Sequence, residues 1–442
     1  MQNSLVINKK INSFNDIIQV SGDKSLSIRW VLFSSLGSGV SISKNLLMSE
    51  DVITSIKAVR KLGIKVITKK NTCKIFGKGI NGYKYKKNLK INAQNSGTLG
   101  RLILGLIIDT PFPIKITGDN SLSKRDFKRV TDPLSKFGAK FRLKNNFTLP
   151  LTIKGSSNLK SINYLEKKGS AQCKSAVILG ALKSDGETTI KAKKSRNHTE
   201  LLCKHLNIPI KVYSRKNYDY IKIKKTSRID NLDYNIPSDI SSSAFFIVLT
   251  ALSKNSKLTI KNVNINPTRT GVISILKRMG VNIKISNKKI YKGEINADIK
   301  IKSTKKLKPI NCPVKYNSGA IDEFLIIFLV AAKAKGISIF KDLGELNKKE
   351  SPRLDIAVKF LRMIGINVLR NKNDIKIFGN PKLKLEKEYL VTKFRKDHRI
   401  VMMSCIAALT LGGKWKITDV DSVKTSFPNF FSIIEKLGAK LD

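Results

Sequence analysis

The stretch Val59-Arg-Lys-Leu-Gly-Ile-Lys-Val66 joins the end of a helix to the start of a strand. Its apolar residues first follow helical spacing and then alternate. Between the two parts stands Gly63, where many helices end in a left-handed conformation that glycine adopts easily. The pattern occurs six times, and its turn residues are Gly63, Gly138, Asn207, Gly280, Gly365 and Gly438. A spacing of about 70 to 85 residues is too long for a solenoid and predicts six copies of a larger unit.

A second pattern also occurs six times, and it consists of an apolar helix, a short polar turn and a strand. The copies are SSLGSGVSISKN, LIIDTPFPIKITGD, GALKSDGETTIKA, TALSKNSKLTIKNV, AAKAKGISIFKD and AALTLGGKWKITDV. Strongly apolar stretches such as Ala244–Leu252 and Ile400–Leu411 predict helices buried inside the protein with sheets outside. Six such units exceed one ordinary core. We therefore expect an α/β (α+β) protein with two lobes of three units and a ligand cleft between them.

The chain is strongly basic, with 84 Lys and Arg against 32 Asp and Glu and a formal net charge of +52 over 442 residues. Such a surplus attracts nucleic acid or anionic lipid without specificity. The lysines are scattered beside Asn and Ile along the whole chain, and no basic tail with interleaved aromatic residues occurs. We therefore expect no nucleic-acid partner, although a basic, non-enzymatic binding protein is an alternative.

The cysteines and the apolar runs indicate the compartment. The 5 cysteines are odd in number and form no C-x-x-C pair, so neither a disulfide framework nor a zinc site is predicted. Met1–Ser13 lacks the apolar core of a signal peptide, and the longest apolar run, Phe324–Ala332, is too short to span a bilayer. We expect a cytoplasmic monomer that does not contact membranes.

Ser21-Gly-Asp-Lys-Ser-Leu-Ser-Ile-Arg29 combines turn and cap residues with the start of an apolar helix. A helix start offers free backbone N–H groups and a partial positive charge. Because Lys24, Ser25 and Arg29 fall in the first two turns, the stretch predicts an anion site. A capped helix with surface cations would have the same sequence.

Other charged groups also stand at or near predicted helix starts. The arginines in such positions are Arg29, Arg125, Arg353 and Arg399. If they converged, they would bind phosphate and carboxylate groups through paired hydrogen bonds. Two carboxylates, Asp322 and Glu350, are candidates for proton transfer. The alternatives are a simple helix cap for Asp322 and a surface salt bridge between Glu350 and Arg353.

Several polar residues are interpreted as structural. Lys124 and Lys174 are expected to be solvated charges, and His198 is expected to cap or orient its loop. Pro237–Ser241 is interpreted as a capped helix start, with no ligand implied.

These segments, in this order, resemble the EPSP synthase (3-phosphoshikimate 1-carboxyvinyltransferase) family from about residue 5 to the C-terminus. The matching segments are SGDKSLSIR, NSGT, TGDNSLSKR, SAQCKS, SRNHTE, SDISSSAFF, NPTRTG, IDE, KKESPR, DHRI and TSFPNFF. The resemblance implies the two-lobed enolpyruvyl transferase architecture, with six βαβαββ-type units, three per lobe. One lobe would comprise residues 1–21 and 238–442, the other residues 22–237, with the active site in the cleft between them.

The resemblance also implies a reaction and residue roles. The enolpyruvyl group of phosphoenolpyruvate would move to the 5-hydroxyl of shikimate 3-phosphate, with release of phosphate, in the shikimate pathway. Asp322 would accept the hydroxyl proton, Glu350 would protonate the methylene carbon, and Lys24 would assist; no metal or cofactor is implied. The residues expected at shikimate 3-phosphate are Lys24, Ser25, Arg29, Ser170, Gln172, Arg196, Asp322 and Lys349. Those expected at phosphoenolpyruvate are Lys24, Gly97, Arg125, Gln172, Arg353 and Arg399.

The chain departs from the family pattern at two positions: Ile28 stands where many members have His, and Pro352 stands where Asp is usual. The nearest alternative is the sister enzyme that transfers enolpyruvyl to UDP-N-acetylglucosamine. That enzyme relies on a cysteine in a mobile loop of the first half, whereas the corresponding stretch here, Gly118–Arg129, contains none.

Overall fold

A computed structural model describes residues 4–392 and 397–442. The chain forms two compact units. Unit 1 comprises Met1–Ser21, Pro237–Ile290 and Ile295–Asp442, and unit 2 comprises Gly22–Ile236 and Tyr291–Glu294. The ranges expected from the sequence differ from these by Pro237 and by residues 291–294, which no sequence pattern sets apart.

The secondary structure of the described residues alternates between helices and strands. The α-helices are α1 Lys24–Leu36, α2 Glu50–Lys61, α3 Gly97–Leu106, α4 Lys128–Ser135, α5 Ala171–Ala181, α6 His198–His205, α7 Ile240–Leu252, α8 Gly271–Arg278, α9 Asn317–Ala320, α10 Phe324–Lys333, α11 Arg353–Met363, α12 His398–Leu411 and α13 Phe430–Lys436. The strands are β1 Ser4–Ile7, β2 Asn15–Ile18, β3 Ser38–Lys44, β4 Lys65–Lys69, β5 Thr72–Lys78, β6 Lys90–Asn92, β7 Ile114–Thr117, β8 Lys140–Lys144, β9 Thr148–Lys154, β10 Asn163–Glu166, β11 Glu187–Lys193, β12 Ile210–Arg215, β13 Tyr218–Lys224, β14 Tyr234–Asn235, β15 Lys257–Asn264, β16 Asn282–Tyr291, β17 Glu294–Lys302, β18 Gly336–Phe340, β19 Val368–Asn371, β20 Asp374–Gly379, β21 Leu385–Val391 and β22 Gly412–Thr418.

Unit 2 contains three sheets with one common strand order. The sheets are β14-β3-β5-β4, β6-β7-β9-β8 and β10-β11-β13-β12. In each sheet the first pair is parallel and the other two pairs are antiparallel. The helices α1, α3 and α5 are buried along most of their length, and residues along many of the strands alternate between buried and exposed. The helices therefore form the inside of the unit and the sheets its outside, as predicted.

Unit 1 repeats this plan with its own apolar core. Its sheets are β2-β15-β17-β16, β18-β20-β19 and β1-β22-β21. In the second sheet a single parallel bridge between Asn311 and Ile339 stands in place of the first strand. In the third, β1 lies antiparallel to β22, and Val6 exchanges two backbone hydrogen bonds with Asp442, of 2.7 and 3.0 Å. The N-terminal strand thus completes the last repeat, and the six predicted repeats are confirmed.

Two repeats take their first strand from a distant part of the chain. Strand β2 precedes α1 in sequence but pairs in parallel with β15, in unit 1. Strand β14 precedes α7 but pairs in parallel with β3, in unit 2. The strand before α1 therefore completes the sheet of the repeat that contains α7, and the strand before α7 completes the sheet of the repeat that contains α1.

The six predicted turn residues all adopt the left-handed conformation. Their φ angles are 85° at Gly63, 114° at Gly138, 54° at Asn207, 86° at Gly280, 79° at Gly365 and 97° at Gly438. Each follows the second helix of a repeat. The prediction is confirmed because a left-handed residue at this place satisfies the last carbonyls of the helix and turns the chain into a strand. Within the described residues, no helix combines the length and the apolar character needed to span a membrane.

Candidate active site

Several of the predicted site residues lie at the starts of helices that carry side-chain caps. Asp23 accepts a hydrogen bond from the N–H of Leu26 at 2.9 Å, and Ser170 accepts one from the N–H of Cys173 at 3.2 Å. Asp397 caps α12 in the same way through the N–H of Arg399. Such caps orient the first turn and place polar residues beside its positive end.

The predicted residues fall into two groups, one in each unit. The group in unit 2 consists of Lys24, Ser25, Gly97, Arg125, Ser170, Gln172 and Arg196 together with Arg29. The group in unit 1 consists of Asp322, Lys349, Glu350, Arg353 and Arg399.

Arg29 is a fixed cation in unit 2, with only 3% of its surface exposed. Its Nε donates to Thr199 Oγ1 at 2.7 Å, one Nη donates to Ser175 Oγ at 3.0 Å, and the other donates to the carbonyl of Ser25 at 3.1 Å. Burial lowers the pKa of Arg29 to about 10, although the carboxylate of Glu200 opposes this effect. Arg29 therefore stays protonated at neutral pH with its guanidinium plane held from three sides.

Two more cations accompany Arg29. The charge of Arg196 adds to the lowering of the Arg29 pKa, because like charges disfavour each other. Lys24, in the first turn of α1, places its Nζ 3.1 Å from Asp51 Oδ2. Both side chains are partly exposed, so an anion can reach them.

Gly97 allows two arginines to approach the start of α3. A Cβ at this position would lie 2.9 Å from Arg101 Nη1 and 3.1 Å from Arg125 Nη1. Arg101 also donates to Gln172 Oε1 at 2.8 Å, and Gln172 Nε2 donates to Thr98 Oγ1 at 2.9 Å. The sequence interpretation did not include Arg101. Its position four residues after Gly97, on the same face of α3, is the signal that could have found it.

Lys174 was expected to be a solvated charge, and this expectation is wrong. The residue is completely buried, and its Nζ lies 2.6 Å from Glu200 Oε1 and 3.9 Å from Asp219 Oδ2. The partners stand on α6 and β13, so no local pattern around Lys174 could reveal them. Lys124, in contrast, is exposed as expected.

His198 is buried at the start of α6 and contacts the segment Tyr291–Glu294. Its Nδ1 lies 2.7 Å from Glu294 Oε1. Because both side chains are buried within unit 2, the pair holds the loop before α6 in place. This geometry agrees with the orienting role expected for His198.

In unit 1, three cations surround Asp322 at the start of α10. Lys349 Nζ lies 3.2 Å and Arg353 Nη1 lies 3.5 Å from Asp322 Oδ1. Arg399 Nη1 donates to the carbonyl oxygen of Asp322 at 2.7 Å. The carboxylate is partly exposed, so a substrate can reach it.

Arg353 is buried between carboxylates. Its Nε donates to Asp397 Oδ2 at 2.9 Å, and one Nη donates to Glu350 Oε2 at 2.6 Å. Burial disfavours the cation, but Asp397 and Glu350 outweigh this effect and raise the pKa of Arg353 above its ordinary value. Burial alone would raise the pKa of Asp397, but the cation of Arg353 outweighs burial and lowers that pKa below its ordinary value. Arg353 and Asp397 therefore stay charged at neutral pH.

Glu350 pairs with Arg353 from outside the helix, and the arginine of this pair is buried rather than on the surface. Helix α11 begins at Arg353, and Pro352 is its N-cap with a non-helical ψ of 75°. Glu350 therefore lies in the loop before the helix and not on a helical face with Arg353. Proline at position 352 disfavours helical dihedral angles at Ser351, which separates Glu350 from the helix.

A family model described as EPSP synthase (3-phosphoshikimate 1-carboxyvinyltransferase) matches residues 8–434. The chain belongs to the EPSP synthase family. A curated 3-phosphoshikimate 1-carboxyvinyltransferase of Ruthia magnifica subsp. Calyptogena magnifica is 40% identical over 435 residues, which are 98% of each chain. The enzyme of Bacillus subtilis (strain 168) is 36% identical over 434 residues, or 98% of this chain and 99% of that one.

Solved structures agree with the assignment to the EPSP synthase family. The EPSP synthase of Acinetobacter baumannii superposes with a TM-score of 0.88 at 33% identity, covering 100% of this chain and 99% of that one. The enolpyruvyl transferase NikO of Streptomyces tendae has a TM-score of 0.76 at 14% identity, with coverage of 100% and 99%, and shows the shared fold alone. The predicted family, fold class and activity are confirmed. The chain is a carboxyvinyl transferase of the shikimate pathway, which leads to aromatic amino acids.

The environments of the cysteines do not favour assignment of the chain as the sister enzyme that acts on UDP-N-acetylglucosamine. All five are free and buried. Burial raises the pKa of Cys73 to about 12 and that of Cys312 to about 11, and it raises the pKa of the other three as well. Because a thiol reacts as its thiolate, none of them is an activated cysteine at neutral pH.

Proposed function

We propose that the charged groups of both units serve one reaction, in which the enolpyruvyl group of phosphoenolpyruvate is transferred to the 5-hydroxyl of shikimate 3-phosphate. Both substrates carry phosphate, and phosphoenolpyruvate also carries a carboxylate, so they repel each other. The observation that carries the proposal is the fixed cations in each unit, Arg29 in unit 2 and Arg353 in unit 1. Cations held in place before binding can offset this repulsion and hold the reactants together.

Unit 2 would bind mainly shikimate 3-phosphate. The residues proposed for this role are Lys24, Ser25, Arg29, Ser170, Gln172 and Arg196. The first turns of α1 and α5 would supply backbone N–H groups for its oxygens. Gly97 and Arg125, with Lys24 and Gln172, would face phosphoenolpyruvate. The close approach of Arg101 and Arg125 to Gly97 supports an anion at this position.

Unit 1 would supply the proton transfers. Glu350 would donate a proton to the methylene carbon of phosphoenolpyruvate, which makes the neighbouring carbon electrophilic. Asp322 would accept the proton of the 5-hydroxyl as its oxygen adds to that carbon. Loss of phosphate and of one methyl proton from the tetrahedral adduct would restore the enol ether. Arg353 and Arg399 would bind phosphoenolpyruvate, and Lys349 would reach shikimate 3-phosphate beside Asp322.

Phosphate release from the purified protein tests this proposal directly. We expect release that requires both phosphoenolpyruvate and shikimate 3-phosphate, and none when shikimate 3-phosphate is replaced by UDP-N-acetylglucosamine. Release with UDP-N-acetylglucosamine alone as the acceptor would contradict the substrate assignment. Absence of release with any acceptor would contradict the enzymatic proposal.

Replacing Arg29 by Lys is expected to raise the Kd for shikimate 3-phosphate by about ten- to a hundredfold. Lysine keeps the positive charge but has one nitrogen, so it cannot keep all three hydrogen bonds that orient the guanidinium. Isothermal titration calorimetry measures the change. Arg60→Lys, an exposed position of unit 2, serves as the matched control. A folded Arg29→Lys protein with unchanged affinity would exclude Arg29 from the binding site.

Replacing Gly97 by Ala is expected to raise the KM for phosphoenolpyruvate by about tenfold and to leave the KM for shikimate 3-phosphate unchanged. The new Cβ meets the ends of Arg101 and Arg125, which are flexible and can move away without disturbing the backbone. Gly100→Ala is the matched control in α3, because its Cβ meets only ordinary contacts of 3.4 Å or more. Equal KM values for the two variants would contradict this role of Gly97.

We further propose that the enzyme works as a cytoplasmic monomer. The five free cysteines support a reducing compartment. Light scattering of the purified protein should give a mass near the 49.4 kDa of one chain. A mass of twice this value would contradict the monomer.

A further inference from the structure

Glu323 follows Asp322 directly at the start of α10, and only 1% of its surface is exposed. A polar side chain at an N-cap position often accepts a hydrogen bond from the first turn of its own helix. The Glu323 side chain makes no such cap bond. Its carboxylate instead accepts a hydrogen bond from the hydroxyl of Ser241, on α7. The charge at the start of α10 is therefore directed towards another helix.

Ser241 is fixed by groups on two other segments. Arg269 Nη2 donates to Ser241 Oγ at 2.7 Å, so this hydroxyl both accepts from Arg269 and donates to Glu323. The backbone N–H of Ser241 donates to Asp239 Oδ1 at 2.6 Å. Arg269 is buried and lies 3.5 Å from the Asp239 carboxylate. The hydroxyl of Ser241 is therefore held between Arg269 and Glu323.

The same carboxylate oxygen of Glu323 that accepts from Ser241 also faces Arg399. Glu323 Oε1 lies 3.9 Å from Arg399 Nη1, the same nitrogen that donates to the Asp322 carbonyl at 2.7 Å. One nitrogen of Arg399 is thus attracted by the charge of Glu323 while it binds the peptide of Asp322. Buried groups of alternating charge therefore connect Arg269, through Ser241, to Glu323 and Arg399, and Arg399 contacts Asp322.

We propose that Glu323 is a positioning residue for the enolpyruvyl transfer. It orients Arg399 and, through Arg399, the peptide group of Asp322. This inference rests on the proposed roles of Asp322 and Arg399. A buried carboxylate is costly unless cations and hydrogen bonds compensate it, and Glu323 has both. Since a misplacement of about 1 Å can cost about a hundredfold in rate, the expected effect falls on turnover.

Glu323→Gln tests the proposal. Glutamine keeps the shape and can still accept from Ser241, but it removes the charge that faces Arg399. We expect kcat to fall by about ten- to a hundredfold. The Kd for shikimate 3-phosphate should change by less than about threefold, because most of its proposed contacts belong to unit 2. An unchanged kcat in the folded variant would overturn the proposal.

A double-mutant cycle with Arg399→Lys separates positioning from general stability. If Glu323 acts through Arg399, the loss caused by Glu323→Gln should shrink to less than half, on a logarithmic scale, in the Arg399→Lys background. Losses that simply add would overturn the proposal. If Glu323→Gln fails to fold, Ser241→Ala is the alternative variant. It removes the hydrogen bonds of Ser241 to Glu323 and Arg269 without removing a charge. It should lower kcat in the same direction, and an unchanged kcat would count against the role of Glu323.

Asp298→Asn is the matched control in unit 1. Asp298 is also a buried carboxylate, and it is held by Lys261 and by the N–H of Asn262. We expect lower thermal stability with an unchanged kcat. An equal loss of kcat in Asp298→Asn would show that Glu323 is only structural. An inactive wild-type protein would instead contradict the proposed function. If the wild type is active, the Asp322 variant is impaired and Glu323→Gln has normal activity, this inference alone is contradicted.

Discussion

Asp322→Asn is expected to lower kcat by about a hundred- to ten-thousandfold, which is the range for loss of a general base. Asparagine has the shape of aspartate but cannot accept the proton of the 5-hydroxyl. Removing the carboxylate leaves Lys349 and Arg353, at 3.2 and 3.5 Å from it, with one anionic partner fewer. The affinity for the anionic substrate shikimate 3-phosphate should therefore persist or rise while turnover is lost.

Steady-state kinetics with both substrates measures kcat, and calorimetry measures the retained binding. Asp421→Asn is a suitable control, since Asp421 is an exposed carboxylate of unit 1 paired with Lys424. A kcat of Asp322→Asn within about threefold of the wild type would assign the proton to another base.

Glu350→Gln is expected to lower kcat by a similar factor, about a hundred- to ten-thousandfold. The amide can still accept the hydrogen bond from Arg353 that Glu350 accepts at 2.6 Å, so the loop before α11 should keep its conformation. It cannot deliver a proton to the methylene carbon. The loss should therefore appear in the chemical step and not in the Kd for either substrate.

Deuterium uptake gives this prediction a specific measurement. In heavy water, protonation of the methylene carbon followed by loss of a methyl proton places deuterium in the enolpyruvyl group of the product, and mass spectrometry detects it. Glu345→Gln is the control, because Glu345 is an exposed carboxylate before the same helix, paired with Lys348. Near wild-type turnover of Glu350→Gln with full deuterium uptake would assign the acid to another residue.

Local sequence patterns predicted most of the repeat. The left-handed turns at Gly63 and Asn207, and the others like them, depend on the conformational freedom of one residue and on the helix before it. The capped helix start at Asp239 is local in the same sense. Features of this kind are determined within a few residues and can be interpreted without knowledge of the fold.

Part of the candidate site was not predictable in this way. The residues around Lys174 in the sequence are typical of any helix and give no sign that it is buried. Its buried charge is paired with Glu200, which stands on another helix. The acceptor of the Arg101 side chain, Gln172, is 71 residues away. The hydrogen bond between Ser241 and Glu323 joins residues 82 positions apart. No short pattern contains both members of such a pair.

The sequence by itself determined that six similar units form, where each unit turns, and which charged residues stand at helix starts, because these properties depend on neighbours along the chain. Only the tertiary structure decided that β14 pairs with β3 and β2 with β15, and that Arg353 is enclosed by Asp397 and Glu350. Strand pairing and buried ion pairs form between segments that packing brings together. Their free energy depends on burial and mutual geometry, which the order of residues does not show.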